Sequence, residues 1–342
     1  MAIALVARSP IRWVRSRDFD LLLLFGPLLL ALGSAALVLV WPSTYVLVLT
    51  LDMWLLSYHH VASTFTRLCF DRASFQQYRL LVLGLLPLCV AATAAVEATA
   101  GGWIVTSLYF YWQAFHYARQ SYGIERIFRG VHAGPPTDAR LTQAMLYLLV
   151  LWGVLHRSNQ GATTLLGMDI RMIPVPGVYV QLVGVAFLLV AAAWGVHQLR
   201  ALLTGASPVH PAYVLSHVAI FSLGYFGAER INDGWLILNV WHNAQYLLIV
   251  WMYNNRRFKS GKSAEHPLLS ELSQKQNVLK YVVICLGLSS LAYTALYTGA
   301  ALTTATVLFV VNMGINFHHY IVDGIIWKMR HASVRQGLGL SA

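Results

Sequence analysis

The sequence predicts an all-α fold, a polytopic integral membrane helical bundle of about ten transmembrane helices, and three observations predict it. Hydrophobic residues make up 58% of the 342-residue chain and charged residues 11%, with a mean hydropathy of +0.60, against roughly 25% charged residues in soluble domains. A soluble globular enzyme is excluded. Apolar windows of spanning length, about 20 residues, recur from residue 19 to residue 327 with only short polar interruptions. All but Arg157, Arg171 and Arg230 of the 24 Lys and Arg fall ahead of the first window or after even-numbered ones, the segregation expected for an even number of crossings with both termini cytoplasmic. Topology thereby accounts for the net charge of +11, and no nucleic-acid partner is needed.

The first window, 19–41, is too long for a removed signal peptide and lacks a small-residue cleavage site, so it reads as a membrane helix; Arg8, Arg12, Arg15 and Arg17 precede it. The second, 44–66, contains LDMWLLSYHHVAST, with Asp52, Tyr58, His59, His60 and Ser63. Asp52 stands seven and eight residues before the two histidines and is expected on their face, whereas adjacent rings on a helix point about 100° apart. The window 80–100 is plainly apolar, and 102–118 closes in YFYWQAFHYARQSYG, where Trp112 and Gln113 precede His116 by about one turn. Windows 141–157 and 176–196 follow, and 210–228 carries His217, with His210 and Tyr213 near its start. In 234–254 the stretch NVWHNAQYLL sets Asn239, His242, Asn243 and Tyr246 as a polar stripe on an apolar helix. After 277–298, the last window, 301–327, aligns Asn312, Asn316, His319 and Asp323 along one face, with His318 and Tyr320 beside them. No repeat or linker divides the chain, so residues 1–342 are expected to form a single transmembrane domain, in the inner membrane of a bacterium. The basic loop Arg256–Gln276 is expected at its anionic cytoplasmic surface.

The thirteen histidines are the feature this composition does not explain, because an imidazole in hydrocarbon must be hydrogen-bonded or ligated. His132, His156, His197, His210, His266 and His331 fall in loops or at span ends and need no special account. His60, His116, His242 and His319 lie three to fourteen residues before the next cytoplasmic Arg or Lys, about 5 to 20 Å at helical rise. One polar site in the inner leaflet is the economical reading. These four are the expected metal ligands, with His59, His217 and His318 as further ligand candidates. Asp323, four residues after His319, is expected to act as a ligand or as the base that orients the ring. Asn243, Asn316 and Gln113 are expected to hold a bound water or oxygen species. The three cysteines, Cys69, Cys89 and Cys285, have no CxxC spacing, so any metal is bound through nitrogen and oxygen.

Imidazole with a carboxylate and no thiolate suits non-haem iron, one ion or two, with copper or zinc as less suited occupants. A site in lipid, lined by Tyr109, Trp112, Tyr117, Trp241 and Tyr246, has most use for oxygen chemistry on an apolar substrate. The HxxxH and HxxHH sets of membrane alkane hydroxylases and fatty-acid desaturases are absent. The segments YFYWQAFHYARQ around His116 and SYHHVAST around His60 resemble the aromatic Trp-His-x-x-Arg-His and Pro-His-Gly-Ala-x-Asp-His segments of the Brp/Blh family of membrane β-carotene dioxygenases. Here Gln120 stands where that family has a histidine, and the Pro, Gly and Asp of its other segment are missing. The resemblance implies a multi-helix membrane protein with iron held by single histidines from several helices, and a carotenoid as substrate.

The leading expectation is therefore an iron-dependent membrane oxygenase or oxidase. Its partners are a lipophilic substrate drawn from the membrane lipids, molecular oxygen and an electron donor. A proton- or metal-coupled transporter is a competing class, since intramembrane His, Asp and Asn serve transport equally. A b-type haem protein held by axial histidines is another.

Overall fold

In a computed structural model, residues 11–70, 72–131, 136–302, 304–328 and 330–340 are described; Arg8 and His132 lie outside them. The chain is about 84% helical. Its helices are α1 (Arg17–Val40), α2 (Tyr45–Asp52), α3 (Tyr58–Cys69), α4 (Arg72–Leu80), α5 (Leu86–Ala100), α6 (Gly102–Val131), α7 (Pro136–Gln160) and α8 (Gly177–Leu203). They continue with α9 (Val209–Ser222), α10 (Ile231–Arg257), α11 (Pro267–Leu272), α12 (Val278–Ala301), α13 (Ala305–Ile326) and α14 (Ala332–Leu338). The strands among the described residues are β1 (Thr164–Leu165) and β2 (Met168–Asp169), a small antiparallel hairpin. Its two turn residues, Leu166 and Gly167, both have positive φ, as a type I′ turn requires.

Each apolar window of the sequence coincides with a helical stretch. Among the described residues, six helices are long and apolar enough to cross a membrane: Arg17–Val40, Ser74–Ala100, Asp138–Gln160, Gly177–Leu203, Lys275–Gly299 and Ala305–Ile326. They point to an integral membrane protein. Large apolar side chains are exposed on them, for example Leu182, Leu188 and Leu189 on α8 and Leu279, Val283 and Leu291 on α12, a surface whose natural solvent is lipid. The windows 44–66, 102–118, 210–228 and 234–254 fall outside these six, and each carries histidine and other polar residues.

The helix expected over 102–118 runs on to Val131. Ser121 and Glu125 are buried in its extension, and Arg129 bonds Glu125 one turn back at 2.8 Å, so polar pairing sustains the helix where hydropathy ends. Arg119, Arg126 and Arg129 therefore lie on a helix and not in the expected loop.

The chain forms two compact units: the described residues up to Val40 with Ala114–Thr163 and Arg171–His242, and Trp41–Gln113 with Thr164–Ile170 and Asn243 onward. In the first, α7 packs against α8 and α9 around Leu146, Leu149, Tyr213, Ile220, Phe221 and Trp241, all buried. In the second, α13 packs on α5, and α3 packs on α4 and α12. Contact between α13 and α5 is close because of Gly314, where a Cβ would stand 2.8 Å from the Val90 Cα; small residues let membrane helices approach in this way.

Replacing Gly314 with Val is accordingly expected to lower stability by about 1–3 kcal/mol, the usual cost of overpacking. Thermal unfolding of purified protein in detergent would check this, and an unchanged midpoint would show that α13 does not depend on that contact.

Candidate metal centre

The site begins with a local irregularity. Met53–Ser57 and Leu81–Leu85 are π turns inserted into otherwise α-helical runs, and Leu223–Gly227 is a third that closes α9. A π insertion shifts the helix register and leaves a backbone carbonyl outside the regular ladder. In an apolar medium such a group needs a partner, at a cost of several kcal/mol if it has none.

The structure supplies partners from histidine and arginine. His59 bonds the backbone of Leu55 within the first π turn. His318 places Nε2 2.8 Å from the Leu81 carbonyl of the second and stacks on Phe65 with ring centroids 5.8 Å apart. In the first unit, Arg157 donates from Nη2 to the Gly224 carbonyl at 3.0 Å and to the Ala228 carbonyl, and from Nη1 to the Glu229 carbonyl at 2.9 Å. Arg157, the last residue of the window 141–157, is 2% exposed and is thus a buried structural cation.

Adjacent rings on a helix diverge, so each His–His pair divides its labour. His59 and His318 serve the π turns, while His60 and His319 turn toward each other, Nε2 to Nε2 at 2.8 Å, with ring centroids 4.6 Å apart. His319 Nε2 lies 3.5 Å from Asp323 Oδ2, one turn later on α13. One ligand atom from each of His60, His319 and Asp323 can be chosen so that all lie within 4.8 Å of one another, and all three side chains are buried. Two donors about 2.0–2.1 Å from one ion, at octahedral or tetrahedral angles, stand about 2.9–3.4 Å apart, which the 2.8 and 3.5 Å separations bracket. The residues present fit a single transition-metal ion.

Behind the donor atoms lies a hydrogen-bonded wall. The Thr64 hydroxyl meets His319 Nδ1 at 3.2 Å and the Tyr246 hydroxyl at 2.7 Å, and Tyr246 donates to Asp323 Oδ1 at 2.8 Å. Trp327 Nε1 donates to the Tyr246 oxygen at 3.1 Å. The Tyr246 ring also stacks on His60, centroids 3.9 Å apart and planes within 12°. Arg67, counted from sequence as a loop cation, is buried with its guanidinium 4.1 Å from both the Trp327 and Tyr253 ring centroids, and Nη1 donates to the Ile326 carbonyl at 3.3 Å. It caps the end of α13 and braces the indole.

Other sequence-predicted residues fall elsewhere. The first π turn rotates α3 relative to α2, so the seven- and eight-residue spacing no longer aligns Asp52 with the histidines; Asp52 accepts from Ser57 Oγ at 3.2 Å, and Ser57 in turn accepts from Asn243 Nδ2 at 2.8 Å. Gln113 donates to the Tyr109 hydroxyl at 2.9 Å, and Asn316 bonds back to the Asn312 carbonyl at 2.9 Å. In the first unit, His116 and His242 are both buried and meet edge to face with centroids 4.9 Å apart. Tyr117, 4.2 Å from the His242 ring, donates to Asn239 Oδ1 at 2.5 Å. His217 donates from Nε2 to the Leu146 carbonyl at 3.3 Å, accepts at Nδ1 from the Ser121 hydroxyl at 2.8 Å, and stacks on Phe221. Both of its nitrogens are engaged in packing, so the structure makes it a hydrogen-bonded core residue where the sequence offered a ligand. Sequence reasoning missed Thr64, Trp327 and the central place of Tyr246; the i, i+4 spacing of His60 to Thr64, matching that of His319 to Asp323, was the available signal.

No protein-family profile, curated protein or solved structure matches this chain.

Substituting His318 with Phe removes the partner of the Leu81 carbonyl and is expected to cost about 1–3 kcal/mol of stability. Arg157→Met, which frees three carbonyls, should cost more. Comparison of unfolding midpoints with wild type in the same micelles tests both, and midpoints equal to wild type would mean that the π turns stand without these partners.

Proposed function

We propose that the chain is an integral-membrane, metal-dependent oxygenase or oxidase that uses non-haem iron on a lipophilic substrate, with molecular oxygen and an electron donor as co-reactants. The observation that carries the reading is the convergence of His60 Nε2, His319 Nε2 and Asp323 Oδ2 in a buried, thiolate-free cluster. Two imidazoles and a carboxylate form a set that leaves positions open on iron; copper and zinc fit the donor types less selectively. Bound iron would supply oxygen activation.

The chain's own residues bind, orient and exclude water. Tyr246 holds Asp323 through Oδ1, which directs Oδ2 to the ion, and stacks against His60 to fix its ring. Beside His319 stands Tyr320, against which Trp112 and Phe317 pack with centroids 6.0 and 6.5 Å away, an apolar aromatic surround suited to a lipid. His116 and His242 enter the proposed ligand set from the sequence pattern. The same proposal places about ten crossings in a bacterial inner membrane with both termini cytoplasmic, by the distribution of Lys and Arg.

Purified protein is expected to carry stoichiometric iron by mass spectrometry and to consume oxygen with membrane lipids only when aerobic. His60→Ala, His319→Ala and Asp323→Asn should each lower bound metal tenfold or more, while His217→Phe leaves it unchanged. A preparation with no transition metal, or variants of the three donors that retain it, would overturn the reading. A Soret band would move the chain to the haem proteins, and substrate uptake into vesicles without oxygen consumption to the transporters.

A further inference from the structure

The hydrogen bonds around His319 have a direction, set by a group that can only donate. Trp327 Nε1–H is a donor with no acceptor capacity, so the Tyr246 oxygen accepts from it at 3.1 Å. Tyr246 gives its single proton to Asp323 Oδ1 at 2.8 Å. The 2.7 Å contact between the Tyr246 and Thr64 hydroxyls must then take its proton from Thr64. With that proton committed, the 3.2 Å contact between Thr64 and His319 Nδ1 takes its proton from the imidazole. A neutral imidazole has one N–H; with it on Nδ1, the Nε2 lone pair faces His60 Nε2 and Asp323 Oδ2.

We propose that Thr64 and Tyr246 are positioning residues that hold His319 in the Nδ1–H tautomer and so present its Nε2 to a divalent transition-metal ion. The inference rests on the metal reading above and deepens it. Trp327 sets the direction of the relay, and Arg67, packed against the indole at 4.1 Å, keeps the N–H aimed at Tyr246. Partners of this kind fix the tautomer and orientation of metal-binding histidines, and losing one lowers metal affinity about 10–100-fold.

Two measurements on the full chain test it. In metal-free protein labelled with 15N-histidine, solid-state NMR should show a neutral Nδ1–H ring that vanishes in His319→Gln, and Thr64→Val should convert it partly or wholly to the Nε2–H form. In a titration with Co(II) alone, Thr64→Val and Tyr246→Phe should bind about 10–100-fold more weakly than wild type, and Thr64→Ser, which keeps the hydroxyl, should bind within about threefold. A neutral Nε2–H ring in wild type that vanishes in His319→Gln, or Thr64→Val titrating like wild type, would overturn the proposal. If Thr64→Val loses its helical circular dichroism, Thr64→Ser and Tyr246→Phe decide. Wild type that shows the Nδ1–H ring but binds no Co(II) would overturn the metal reading, while the Thr64→Val spectrum still decides the tautomer.

Discussion

A backbone carbonyl released from its helix in an apolar medium must find a donor, and much of this structure follows from how the chain meets that demand. Among the described residues, two π turns interrupt helical runs and a third closes α9, and water is not at hand to satisfy the groups they release. Histidine and arginine donate to carbonyls in or just beyond these turns: His59 to Leu55, His318 to Leu81, and Arg157 to Gly224 and, past the turn, to Ala228 and Glu229. A charged arginine donor makes the stronger bonds, about 1.5–3 kcal/mol each against about 1 for a neutral donor, consistent with its use where several carbonyls cluster.

This demand explains why histidines occur in pairs. A single imidazole cannot both bond a carbonyl on one side of a helix and face a polar cluster about 100° around it. Two in succession can. His59–His60 and His318–His319 each put one ring on a π turn and the other into the cluster with Asp323. What looked in composition like an excess of histidine is in part the structural support of the helices that carry the site.

The helical windows and the residues of the cluster were legible in the sequence because both follow from periodicity: apolar runs of spanning length, and a His–Asp pair one turn apart. The division of labour within each pair was not legible, because it depends on π turns that leave no compositional mark; LLS and LVL read as ordinary apolar helix. For the same reason Asp52 was expected to face His60 and instead joins Ser57. Asn316 fits the stripe on α13 by spacing, yet its side chain turns back to the Asn312 carbonyl, a local choice that spacing does not reveal. The burial of Arg67 and Arg157 was not legible because charge at the edge of an apolar window normally means solvent; aromatic rings and the Gly224 carbonyl supply the environment that sequence alone does not show.

The geometry of the cluster depends on helix phase more than on any single bond. His60 and Thr64 stand one turn apart on α3, and His319 and Asp323 one turn apart on α13, so the two helices present matching rungs: ring to ring, and hydroxyl to ring. A rotation of either helix by one residue, about 100°, would break every contact in the set together. The phase of α3 relative to the chain before it is set by the π turn at Met53–Ser57, and the docking of α13 by Gly314 against Val90 and by His318 on Leu81. Features that carry no donor atom of the cluster therefore determine whether its donor atoms meet.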